Sequence, residues 1–279
     1  MKRLLLCLLC LQLVLCPVLS CLGDDMPSEM SLLAINVRKA DALLLRCGDT
    51  AYLVDTGSKD SFDQLYAVLK ADGISRLTGV ILTHTHKDHI GGLKQLLNSD
   101  IEVGEIYTSV WFEENKKGQH PAAKALKGTG KELSFLSGGD ELPFSGASLK
   151  VLGPLEEAEV ENNNSLVLLA ECGGGSILLA GDMEFPEEAS LLKAGVIPAA
   201  DVLKIGNHGE GDATSAQLVA TVRPKLAVIS TNSDDEPDTP DPRVIRLLKD
   251  QGIPYLVTED TANGILVTLK GGEILTEMK

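Results

Sequence analysis

The chain has 279 residues, 44% of them hydrophobic and 23% charged, with a formal net charge of −15; this composition excludes a wholly disordered polymer and can bury a sizeable core. Aromatic residues make up only 4%, so few side chains are available to stack on bases or sugars. The negative field opposes long nucleic acid as a substrate and leaves small molecules and short anions open.

In chain order, Lys2 and Arg3 precede "LLLCLLCLQLVLCPVLS", an apolar run too short and interrupted for a membrane span. A basic start, an apolar middle and small residues at the end describe an export signal over residues 1–20. The closing "VLSC" resembles a bacterial lipobox, in which Cys21 is lipidated and anchors the protein to a membrane surface. Ordinary secretion is the alternative, because Val18 and Ser20 also satisfy a small-x-small cleavage rule. Residues 21–30 then form a polar tether, and residues 31–279 the folded domain. Export would discard Cys7, Cys10 and Cys16. Cys47 and Cys172 remain, either paired in an oxidising compartment or as two buried thiols. No C-x-x-C occurs outside the signal, which argues against a thiolate zinc site.

Short apolar runs bounded by Gly, Asp and Asn predict strands at "SLLAINV", "ALLLRC", "AYLV", "GVIL", "GEIYTS", "SLVLLAEC", "SILLA", "DVLKI", "KLAVIS" and "YLVT". Helices are predicted between them. In "SFDQLYAVLKADG", Phe62, Leu65, Tyr66 and Leu69 recur at helical spacing and Gly73 closes the run. "IGGLKQLLNS", "TSAQLVATV" and "PRVIRLLKDQG" read likewise, the last with Gly252 at its C-cap. Residues 113–133 read as a loose, exposed excursion, with His120 an ordinary surface or packing residue. "LLLRCGDTAYLVDTG" and "VLLAECGGGSILLAGD" look alike: each gives a strand, a Cys-Gly turn, a second strand and then an aspartate. They suggest two related halves.

Five strands run straight into polar clusters: "AYLV" into "DTGS", "VIL" into "THTHKDH", "SILLA" into "GD", "DVLKI" into "GNHG" and "LAVIS" into "TNSDD". Ligand sites of layered α/β folds gather at carboxyl ends of strands, so these edges describe one site. Three of the chain's five histidines fall within "THTHKDH". Side chains two apart on an extended chain share a face, so His84 and His86 can grip one ion. Asp88 and His89 follow as the chain turns into a helix and can serve a second. With Asp182 and His208 the candidate ligands are too many for one tetrahedral ion and suit two that share a carboxylate. Imidazole and carboxylate donors fit one or two divalent ions, zinc first and manganese second.

"THTHKDHIGG", with "LVDTGS" upstream and "LLAGD" downstream, resembles the metallo-β-lactamase superfamily of binuclear metallo-hydrolases. Within it, "ENNNSLVLLAECGGGSILLAGDME" and "DVLKIGNHGEGDATS" are most similar to the external metallo-hydrolase domain of ComEC-type competence proteins. The resemblance implies a four-layer αββα sandwich, two mixed β-sheets flanked by helices, over about residues 31–277. It implies His84 and His86 for the first metal, Asp88 and His89 for the second, a bridging Asp182 and a completing His208. Asp55 would brace the metal-binding loop, and Asp88 would position the attacking hydroxide or take its proton.

There are departures from the family pattern. "NNNS" replaces the third-motif histidine, so Asn164 or Ser165 is expected to contact water or substrate. Asn207, Glu210 and "TPDP" stand where the branch has imidazoles and a hydroxyl suited to an anion. Lys204 is a candidate for neutralising a phosphate, or for pairing with a nearby acid. The resulting expectation is an exported metal-dependent hydrolase that uses metal-activated hydroxide on a phosphodiester or other ester-type bond of a small or short anionic substrate. Lactonase or thioesterase chemistry, and a non-catalytic metal-binding surface protein, are the alternatives.

Overall fold

In the computed structural model, residues 29–279 are described. The expected signal and the Cys21 lipidation site lie outside them. Two β-sheets carry the architecture, and alternation along each strand divides the apolar side chains between two cores. In β1 (Glu29–Ile35), Leu32 and Ala34 face the opposite sheet while Leu33 and Ile35 face helices, as a period of two requires. This strand begins two residues ahead of the domain start expected from sequence.

The first sheet contains β1, β2 (Leu43–Cys47), β3 (Thr50–Val54), β4 (Arg76–Leu82), β5 (Glu102–Ser109) and β6 (Leu133–Leu136), with β14 (Gly264–Lys270) and β15 (Glu273–Met278) returning from the C-terminus. Its order is β15-β14-β1-β2-β3-β4-β5-β6. The second contains β7 (Glu141–Phe144), β8 (Ala147–Gly153), β9 (Val167–Cys172), β10 (Gly175–Leu179), β11 (Val202–Lys204), β12 (Leu226–Ile229) and β13 (Tyr255–Val257), in the order β13-β12-β11-β10-β9-β8-β7. Both sheets are mixed. In each, an antiparallel hairpin (β2-β3, β9-β10) leads into parallel strands (β4 to β6, β11 to β13).

The core between the sheets holds Leu45, Tyr52, Val54, Leu168, Ile177 and Val202. Outside the first sheet pack α1 (Phe62–Ala71), the short α2 (Lys87–Ile90), α3 (Leu93–Leu97) and α4 (Ala123–Leu126), with Leu65, Leu69, Leu93 and Leu96 fully buried. Outside the second pack α5 (Phe185–Ala194), α6 (Ala216–Val222) and α7 (Pro242–Asp250), burying Leu191, Leu218, Val222, Val244 and Leu248. The result is the expected αββα sandwich. Among the described residues no helix is long and apolar enough to cross a membrane.

Residues 113–133 agree in part with the exposed excursion expected, since residues 113–119 are largely exposed, and depart from it in the second half. They include α4, and His120, Ala122 and Leu126 are buried. His120 packs against Phe112 and Phe135 and is hydrogen-bonded to Thr108 Oγ1 at 3.1 Å, so it is a packing residue.

After the histidine cluster the chain turns tightly against the loop that follows β3. Gly91 and Gly92 have ordinary helical φ values of −64° and −80°, so the need for glycine there is space. A Cβ on Gly91 would meet the Lys87 carbonyl and the Lys59 amide, and one on Gly92 the Thr56 carbonyl. Gly92 also donates its amide to the Gly57 carbonyl at 3.2 Å. Replacing Gly92 by alanine is therefore expected to lower unfolding stability by about 1–3 kcal/mol, read from the urea midpoint. A variant as stable as the parent would mean that these two loops separate freely.

Candidate metal centre

β3 and β4 run parallel with Val54 opposite Ile81, so Asp55 emerges beside the start of the histidine loop. Its Oδ1 accepts the Thr83 amide at 2.8 Å and its Oδ2 accepts the Thr83 hydroxyl at 2.7 Å. The same Oδ2 lies 2.8 Å from His89 Nδ1. Asp55 is fully buried and sits in the left-handed region at φ 60°, as does His208 at φ 53°. Strained backbone of this kind persists where surroundings over-determine it. From the second sheet, the Leu166 amide donates to the Thr83 carbonyl at 2.9 Å, which joins the two sheets at the site.

Asp182 follows β10 and lies among imidazoles. Its Oδ2 is 3.1 Å from His89 Nε2, 3.5 Å from His208 Nε2 and 3.8 Å from His84 Nε2. Asp88 Oδ2 is 3.3 Å from His208 Nε2 and 3.8 Å from His89 Nε2. His86 stacks edge-on to His84 with centroids 4.6 Å apart. His208 Nδ1 faces the Ser230 carbonyl at 2.9 Å, so that nitrogen carries a proton and a neutral ring presents a bare lone pair from Nε2. His84 Nε2, His208 Nε2 and Asp182 Oδ1 are buried without a hydrogen-bond partner. Buried polar atoms left in this way are costly and call for an explanation.

A divalent cation fits these donors. One group comprises Asp88, His89, Asp182 and His208 and another His84, His86 and Asp182, with the ligand atoms of each mutually within 4.8 Å. Asp182 belongs to both. Neutral imidazole and carboxylate are the ligands of zinc and its first-row neighbours, and Asp55 on His89 Nδ1 supplies the outer hydrogen bond that orients such a ligand.

Electrostatics agree with this arrangement. Burial alone would lower the His208 value, but the charge on Asp182 and the closeness of the Asp182 and Asp88 carboxylates carry it up to about 10. His89 is likewise raised against burial by Asp182 and Asp55. Burial, reinforced by the neighbouring His89 charge, holds His84 well below the usual histidine range. Burial works against ionisation of Asp182, yet the charges of His89 and His208 hold it well below the usual carboxylate range. These acids demand positive charge, which protons or a metal ion can supply.

The residues expected to face substrate are held inside the protein. Asn164 accepts the Ala158 amide at 2.9 Å and donates to the Ala158 carbonyl at 3.1 Å. Ser165 Oγ accepts the Asp182 amide at 3.1 Å. Lys204 is fully buried and donates to Asp41 at 2.9 Å and to the Ile205 carbonyl at 3.0 Å.

Sequence reasoning missed Glu161. One of its oxygens accepts both the amide (2.8 Å) and the hydroxyl of Thr85, the residue between His84 and His86, and the other accepts the Glu113 amide at 2.7 Å. Nothing in its sequence context marks it. Asn162 and Asn163 donate to the two oxygens of Glu184 at 2.7 and 2.8 Å, so the segment without the third-motif histidine is fastened to the loop after Asp182.

Comparison with known proteins gives a consistent result. The profile described as Metallo-beta-lactamase superfamily matches residues 35–232. ComE operon protein 3 of Bacillus subtilis is 32% identical over 70% of this chain and 25% of its own length, and the chain spans about a quarter of the curated relatives it first matches. Among solved structures, the metallo-beta-lactamase fold protein YhfI of Bacillus subtilis superposes with a TM-score of 0.58 at 13% identity, covering 87% of this chain and 100% of that one. A diphosphatase from the PhnP family gives 0.54 at 13% identity, covering 88% and 99%.

Three expectations follow from this geometry and its charges. His208 must lose a proton before Nε2 can bind an ion, so apparent zinc affinity should rise with pH from about 6.5 toward 10. In metal-free protein the raised His208 value adds stability fully present below pH ~6.5 and lost as pH climbs through the folded value of about 10. Competition titrations and denaturation at several pH values check both trends, and an affinity flat with pH would contradict them. Asp55→Asn should weaken metal binding about 10–100-fold, measured by chelator competition; an unchanged affinity would remove Asp55 from the supporting shell.

Proposed function

The chain belongs to the metallo-β-lactamase superfamily, and from that premise we propose that it is a metal-dependent hydrolase of a small or short anionic ester, with a phosphodiester bond the leading target. The observation that carries this reading is the convergence of unpartnered His84, His208 and Asp182 atoms, with Asp88 and His89, at one point between the sheets. His84, His86, Asp88, His89, Asp182 and His208 would hold the ion or ions, zinc first and manganese second. When bound, a divalent ion supplies Lewis acidity that makes water nucleophilic at neutral pH.

The protein's own part is orientation and charge. Asp88 is less buried than its neighbours, at 33% side-chain exposure, and adjoins the open cleft, which suits it to orient a water and take its proton. The Ser230 carbonyl fixes the His208 tautomer, and Asp55 fixes that of His89. Beyond His86 and Asp88 the cleft, about 1360 Å³ in volume, is bordered by Lys59, Lys87, Lys94 and Lys124, with Asp60, Glu113 and Glu114 on the same walls. These lysines are the groups of the cleft that could meet an anionic substrate, against the opposing charge of the carboxylates beside them. The similarity to a protein named as a diphosphatase supports phosphoryl chemistry at the level of fold. We further propose that the chain acts outside the cytoplasm, exported by its basic and apolar leader and held at a membrane if Cys21 is lipidated.

Removing metal with a chelator should abolish turnover, and zinc or manganese should restore it. Asp88→Asn should lower the metal-restored rate by about 100-fold or more. A panel of bis(p-nitrophenyl) phosphate, single-stranded DNA, a lactone and a thioester identifies the bond. Hydrolysis of the first with little of the DNA is the expected pattern. Turnover of only the lactone or thioester would move the assignment to those chemistries, and metal binding with no turnover of any of them would reduce the protein to a metal-binding surface protein.

A further inference from the structure

Away from the metal centre, Cys47 and Cys172 face each other across the sandwich. Each is the last residue of the first strand in one of the two related hairpins, Cys47 ending β2 and Cys172 ending β9. Their sulfurs are 2.8 Å apart, although 125 residues separate them in sequence. Both are buried, at 1% and 5% exposure, within the apolar layer between the sheets. Because β2 runs antiparallel to β3, and β9 to β10, the two cysteines lie at the end of the sheets opposite Asp55 and Asp182.

We propose that Cys47 and Cys172 form a disulfide that fastens the two sheets together when the protein meets an oxidising thiol–disulfide pool. A bonded pair has its sulfurs about 2.05 Å apart, so closure needs a shift of less than about 1 Å. Each sulfur gives up its hydrogen and the Sγ–Sγ bond forms. The two electrons and two protons pass to a disulfide of the exchange partner, which leaves as two thiols. A cross-link closing so long a loop restricts the unfolded chain strongly. Burial, helped by the adjacent Cys172 sulfur, pushes the Cys47 thiol up to about 12. The Cys47 thiolate is therefore scarce in the closed sandwich, and pairing is fastest before the sheets close. Once formed, the bond is shielded by the same burial.

The full chain, held in a glutathione redox buffer, should yield on blocking and non-reducing digestion a cross-linked peptide pair containing Cys47 and Cys172, two hydrogens lighter than the separate peptides. Recovery of both cysteines as separately alkylated peptides, or of either one joined to a different cysteine, would overturn the proposal. The oxidised protein should melt about 5–10 °C above the reduced protein, while a Cys47→Ala/Cys172→Ala double variant should not respond to reductant. Equal melting of the oxidised and reduced parent would overturn the stabilising role. Because the cross-link lies far from the metal ligands, metal affinity should be the same in both forms.

Discussion

The site rests on one electrostatic conflict. Around Asp182, imidazole nitrogens turn toward carboxylate oxygens while their other ring nitrogens are committed elsewhere, His89 Nδ1 to Asp55 and His208 Nδ1 to the Ser230 carbonyl. Lone pairs would then meet lone pairs at 3.1–3.8 Å in a space without water access. Such an arrangement is stable only with positive charge between the groups. Protons meet the need in part, as the raised His89 and His208 values indicate. They leave His84 Nε2 and Asp182 Oδ1 without partners, and a divalent cation answers both.

The sandwich explains how groups so distant in sequence reach one point. Each sheet turns from an antiparallel hairpin into parallel strands, so the carboxyl ends of β3, β4, β10, β11 and β12 all open at one end of the molecule. Asp55 and Asp182 each follow the second strand of a hairpin, one in each half, yet their environments differ. Both oxygens of Asp55 are taken by Thr83 and His89, whereas Asp182 Oδ1 has no partner. Hydrogen bonding therefore assigns one acid to support and leaves the other available to an ion. Similar halves have produced an asymmetric centre through a few local contacts.

Much of this was legible in the sequence because the signals were local. Ten strands announced themselves as apolar runs, and the histidine cluster stood out through scarcity and spacing. Five strands of the described residues are not among them; β14 carries the same kind of run, Ile265 to Val267, while the other four lack one that is buried throughout. β7 contains Pro143, both β7 and β8 interrupt their buried positions with more exposed ones, and β15 is largely exposed. The helix α5 was also missed, although Pro186 at its start and the left-handed Gly195 at its end were available signs. Glu161 could not be singled out among 40 acidic residues, because its partner Thr85 is 76 positions away. The Lys204–Asp41 pair spans 163 positions and was foreseen only as one of two alternatives. Tertiary folding decides such pairings, and no local pattern encodes them.

A chain of net charge −15 with lysines around its cleft presents two different fields to an anion. At physiological ionic strength the screening length is about 8 Å, so acids spread over the surface act weakly on a small ligand already within the cleft. There the nearest charges dominate: Lys59, Lys87, Lys94 and Lys124 attract an anion, and Asp60, Asp88, Glu113 and Glu114 oppose them. A long polyanion is in a different position, because its phosphates extend past the lysines and across the surrounding acidic surface, where each adds repulsion. On the proposed function, this difference would favour a short anionic ester over an extended nucleic acid without a steric barrier. That discrimination depends on ionic strength, since added salt weakens the repulsion that excludes long chains along with the attraction at the mouth.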